Sequence, residues 1–120
     1  MKYILLPGLF FLILNACASS SMAIDPYVQK LQWLDAADPQ KDAQQAIKKG
    51  DLRLLGLATK ALHIPGVKKE DSYQYEKECG VQLIDGISDV VRSDEHLRLM
   101  QKARSYALRY NAIIKTECTP

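Results

Sequence analysis

The sequence predicts an α+β fold rich in helix, and three observations carry that prediction. From residue 93 to about residue 115, Leu97, Met100, Ala103, Ala107, Tyr110 and Ile114 recur at steps of three and four, while Glu95, Arg98, Lys102, Ser105 and Arg109 recur on the opposite side. That is the period of a long amphipathic helix, with acidic residues at its start and Lys115 at its end, as the helix dipole favours. Two short apolar runs, at residues 52–57 and 81–84, have the length and the flanking turn residues of buried strands. Twice near the N-terminus an Asp-Pro pair precedes an apolar stripe, which reads as an N-cap followed by proline in the first turn. The expected architecture is two short helices, a small sheet of two or three strands, and the long C-terminal helix tied by a Cys79–Cys118 disulfide. The competing arrangement is all-α, with residues 52–62 helical.

The elements follow in order. After Asp25-Pro26, the residues Tyr27, Val28, Leu31 and Leu34 share one helical face. After Asp38-Pro39, a second helix runs through Ala43, Ala46 and Ile47 and stops at Lys48-Lys49-Gly50, basic residues and then glycine. Leu52, Leu54, Leu55 and Leu57 suit a buried strand, against leucine's own preference for helix, and His63-Ile64-Pro65-Gly66 is a turn or loop. Residues 73–78 add a helical turn before Cys79-Gly80. A strand at residues 81–84 then meets Asp85-Gly86, which suits either a two-residue hairpin or a turn into a helix starting near Ser88 or Asp89.

Composition narrows the class of function. The formal net charge is +2 over 120 residues. One of those charges is Lys2, so the body is close to neutral and lacks the concentrated basic surface that nucleic acid requires. Three cysteines divide unequally: Cys17 closes the apolar N-terminal stretch, and Cys79 and Cys118 lie in the body. In an oxidising compartment the body pair is expected to close, joining residues roughly 40 apart.

The N-terminus has the form of an export signal. Met1-Lys2 supplies a positive end, and an apolar stretch of about a dozen residues follows, shorter than the roughly 20 needed to span a bilayer. Leu14-Asn15-Ala16-Cys17 then resembles the lipobox of bacterial lipoproteins, although Asn15 departs from the small or β-branched residue usual at that place. The resemblance covers only the first twenty or so residues. It implies cleavage before Cys17, lipidation of its thiol, acylation (palmitate-type) of the new amine, and, with Ala18 rather than aspartate following, an outer-membrane anchor facing the periplasm. On that reading, residues 1–16 are the signal peptide, 17–25 the lipidated cysteine and a flexible tether, and 26–120 one globular domain. Ala16-Cys17-Ala18 and Ser21-Met22-Ala23 also fit ordinary secretory cleavage sites, either of which would discard Cys17 and leave a soluble periplasmic protein.

Chemistry is harder to find. His63 sits in a loop, and His96 in the first turn of the long helix reads as exposed or capping; Asp94 and His96, two apart, point in different directions and do not make a metal pair. Ser88, Asp89 and His96 hold the letters of a triad without its glycine-flanked nucleophile turn. Glu76, Glu78, Asp85 and Asp89 include no pair singled out for work on cell-wall sugar. Bridged cysteines are not nucleophiles. Trp33, Tyr73, Tyr75, Tyr106 and Tyr110 read as core edges. Neither catalytic residues, metal nor cofactor are expected. The basic stripe Arg98, Lys102 and Arg109 is a candidate contact for anionic headgroups or an acidic partner, or else a solvated face moderated by Glu95. The expected role is a non-catalytic accessory or binding protein of the envelope whose partner is another envelope protein. A small inhibitor or immunity-type lipoprotein, and a soluble periplasmic protein or minor cell-wall enzyme, are the alternatives.

Overall fold

The computed structural model describes residues 23–120, and the fold it shows is α+β. Asp25 caps the first helix, α1 (Pro26–Leu31), its carboxylate accepting the Tyr27 N–H at 2.8 Å. The chain tightens into a 3-10 turn, Gln32–Ala36, and Asp38 then caps α2 (Pro39–Lys48) by accepting from the N–H groups of Gln40 and Lys41. Gly50, at φ 78°, ends α2: its N–H donates to the Ile47 carbonyl and the Asp51 N–H to that of Ala46. This reciprocal pair closes the helix with glycine in the one place an L side chain would resist. Both Asp-Pro starts and the glycine stop are therefore where their chemistry puts them.

The ambiguous leucine run is a strand. β1 (Leu54–Ala58) is the centre of a three-stranded sheet, antiparallel to β2 (Leu62–His63) and parallel to β3 (Val81–Leu83), in the order β2-β1-β3. Residues 54–57 are all buried, so the run is apolar on both faces, a pattern that helix and buried strand share. Tertiary contact decides for strand. A Cβ at Gly56 would stand 2.7 Å from a Val81 methyl and 2.9 Å from one of Leu62, so glycine is what lets the neighbouring strands' side chains close over β1. Between β2 and β3, a 3-10 turn (Lys69–Asp71) leads into α3 (Ser72–Cys79), a longer helix than the single turn expected.

The Asp85-Gly86 expectation needs correction in both its forms. No hairpin follows, and no helix starts at Ser88: an irregular segment runs on until Ser93 caps α4 (Asp94–Ile114), its hydroxyl accepting the His96 N–H. Gly86 has φ 105°, but its work is close approach. A Cβ there would lie 2.9 Å from Leu31 Cγ and 3.1 Å from the Tyr27 carbonyl oxygen, so the loop is pressed onto α1.

α4 is the long helix foreseen, rotated from the face foreseen. Ala103, Ala107, Tyr110 and Ile114 are buried as expected, but Leu97 is 39% exposed, and Leu99 takes its place inside. The rotation admits two polar side chains, His96 and Asn111, both with no exposed surface. A polarity count places such residues outside; hydrogen bonds to backbone bring them in.

Asn111 reaches β1. Its Oδ1 accepts the Leu55 N–H at 2.8 Å, and its Nδ2 donates to the Leu55 and Pro65 carbonyls, each at 2.9 Å. In register, β2 meets β1 only at Leu57 and Ala58, so Leu55 lies beyond that ladder. The amide of Asn111 supplies the pairing a longer β2 would have supplied. At the far end, Cys79 and Cys118 are bridged, with Cα atoms 6.0 Å apart, fastening the end of α3 to the turn after α4.

Candidate functional site

Cys17 lies outside the described residues. Of the residues picked out from sequence, Arg98 and Lys102 are paired within the chain. The Arg98 guanidinium grips Asp35 through two 2.9 Å bonds and Glu95 through another at 2.6 Å, and Lys102 Nζ donates to Asp35 at 3.0 Å. These bonds hold Asp35 far below, and Glu95 below, the usual carboxylate range, Arg98 being the largest cause in each. None of the ion pairs among the described residues includes Arg109, so two of the three cations are neutralised and the three do not form one bare stripe.

His96 is a structural residue. Its Nδ1 accepts the Arg92 N–H at 3.2 Å, which leaves the ring proton on Nε2, donated to the Gly86 carbonyl at 2.9 Å. With both nitrogens engaged by backbone, the ring has no valence for Ser88. The Ser88 hydroxyl itself closes a local turn, accepting from the Val90 N–H, and Asp89 is exposed. The reading of His96 as exposed or capping is thus overturned: it pins the irregular loop to α4 while Tyr27 meets its ring edge-on at 5.7 Å. Of the carboxylates, Glu76 and Glu78 are exposed on α3, and Asp85 pairs with Lys30 at 3.6 Å. Among the described residues no group of three or more His, Cys, Asp or Glu gathers as a metal would need, and no helix is long and apolar enough to cross a membrane.

Of the grooves along α4, two stand out. The first is aromatic: Trp33 meets Tyr106 edge-on at 5.1 Å, and Tyr106 stacks on Tyr110 at 6.0 Å. The Tyr106 hydroxyl donates to Asp42 at 2.6 Å; burial, then that carboxylate, push its ionisation well above the ordinary tyrosine value. Leu83, on the outer strand β3, completes this wall half-exposed.

The second groove lies between α4 and the β2 end of the sheet, in two lobes of about 390 and 440 Å³. Leu57, Ile87 and Met100 line the first lobe; Pro65 and Leu108 line the second. His63, Gln101 and Arg104 border both, so they mark the waist between them. No carboxylate lines either lobe, and none of the ion pairs among the described residues includes Arg104. His63 has its imidazole held below the ordinary histidine value, by burial first and by the Arg104 charge second. Sequence reasoning noticed His63 and missed Arg104. The available signal was that Arg104 is the one α4 arginine out of step with the 98, 102, 109 series.

The chain matches no protein-family model, no curated protein and no solved structure among those it was compared with.

Proposed function

We propose that this chain is a lipid-anchored bacterial envelope lipoprotein, held through Cys17 at the outer membrane, whose folded part binds another envelope protein and performs no chemistry itself. The observation that carries the reading is the division of the cysteines. Cys79 and Cys118 are bridged, a state that suits an oxidising compartment, and the odd cysteine is the one in Leu14-Asn15-Ala16-Cys17. Two or three acyl chains on Cys17, at about 0.8 kcal/mol per buried methylene, would give stable anchoring. The binding role is supported by two open grooves on a domain in which the His96 ring and the Ser88 hydroxyl are both engaged by backbone groups.

The test is the intact mass of the protein from the membrane fraction, with and without reductant, beside a Cys17→Ser control. The expected mass is that of residues 17–120 plus the acyl chains, lost in the control, with two hydrogens gained on reduction. A mass starting at Ser19 or Ile24 without lipid refutes the anchor.

A further inference from the structure

We infer that the groove between α4 and the β2 end of the sheet binds an extended segment of a partner protein, with a carboxylate side chain of that segment seated on Arg104 and His63 and apolar side chains on either hand. The proposal rests on the binding-protein reading for the partner being a protein; the anchor plays no part in it.

Charge selects an anion. Among the described residues Arg104 is the only charged residue lining either lobe, His63 is the only other titratable group there, and none of the lining residues is acidic. A guanidinium offers a planar fork that a carboxylate fits with two bonds. The placing of that cation selects a peptide over a fatty acid or other single-chain amphiphile. Such molecules carry charge at one end, whereas here the cation sits at the waist with mostly apolar wall in both directions, Leu57, Ile87 and Met100 beside Thr59 and Ser88 one way, and Pro65 and Leu108 beside Ser105 the other. An extended chain with an acidic residue between two apolar ones has that arrangement. Gln101, beside the cation, offers an amide donor and acceptor to a passing backbone, and β2, which carries His63, is an outer strand of the sheet among the described residues.

Seating an anion favours protonated His63, whose free ring is held below its ordinary value. Binding therefore takes up a proton, and affinity rises as pH falls from about 7.5 to 5.5, while the peptide carboxylate is still ionised.

The experiment titrates the protein as recovered from cells with a blocked pentapeptide, a central glutamate flanked by leucines, and with its glutamine analogue, following the His63 ring signals by NMR. The glutamate peptide is expected to shift those signals and to bind more tightly at the lower pH. Arg104→Gln, at an exposed position, should weaken it on the order of tenfold, and Arg109→Gln should leave it unchanged. Equal binding of the two peptides, or no effect of Arg104→Gln, overturns the proposal. In cells, a photo-crosslinking side chain at Gln101 is compared with one at Trp33. A Gln101 adduct lost in Arg104→Gln supports the groove. Adducts at Trp33 alone overturn it and leave the binding reading standing; adducts at neither overturn both.

Discussion

Replacing Asn111 with leucine keeps the number and branching of the side-chain heavy atoms and removes every hydrogen bond the side chain makes. The Leu55 N–H, the Leu55 carbonyl and the Pro65 carbonyl then lose their bonds to this side chain inside the core. A buried polar group left unmatched costs about 1–3 kcal/mol. Three of them, with some relaxation, put the loss at about 3–5 kcal/mol, against about 5–10 kcal/mol of total stability for a domain this size. Urea unfolding with the disulfide intact should show that loss as a lower midpoint at unchanged slope. A loss below about 1 kcal/mol would mean that the amide does not hold β1, and the account given for the strand would be wrong. Asn111→Asp sharpens the test. One carboxylate oxygen can keep the Leu55 N–H, but the other faces two carbonyls, so the folded state favours the protonated acid and raises its pKa above the unfolded value near 3.9. Stability of this variant is then fullest below that value and is lost as pH rises through the raised folded pKa. That is the opposite of the unmodified protein's response to acid.

In the unmodified protein, Asp25, Asp35, Asp51 and Glu95 all have lowered pKa values through their arginine partners. Their contribution is present above about pH 4 and is lost as pH falls through the lowered values; these pairs are exposed, so the melting temperature should fall modestly in acid and less so at high salt. Gly86→Ala meets both a positive φ and the Leu31 side chain, and should cost about 2–4 kcal/mol in chemical unfolding; a neutral result would show that the loop can move off α1. Removing the bridge with Cys79→Ala and Cys118→Ala together opens a loop of 39 residues and should cost about 4 kcal/mol, read from the urea midpoint. Tyr106→Phe deletes the bond to Asp42 and should cost about 1–2 kcal/mol by the same measurement, with Asp42→Asn as the partner variant for a double-mutant cycle.

What was legible in the sequence was what neighbouring residues settle among themselves. Asp25-Pro26, Asp38-Pro39 and Gly50 mark helix ends because caps act within a turn. The disulfide was legible by arithmetic. The leucine run was not fully legible, since its choice between strand and helix is made by Val81, far along the chain, and by Leu62 across the turn after β1. The facing of α4 was misread for a related reason: His96 and Asn111 look solvent-bound until the Gly86, Arg92, Leu55 and Pro65 backbone groups that satisfy them are in place. The groove was the least legible feature. His63, Ile87 and Arg104 come from a short strand, an irregular loop and a helix, and nothing short of packing brings them together.

The partner that completes β1 is Asn111, more than fifty residues later in the chain, and the cysteine that locks α3 is later still. A chain emerging N-terminus first from a ribosome therefore carries β1 without the Asn111 amide until α4 has followed. The sheet is completed only when α4 packs on it, and the bridge can close only once Cys118, beyond that helix, is in place.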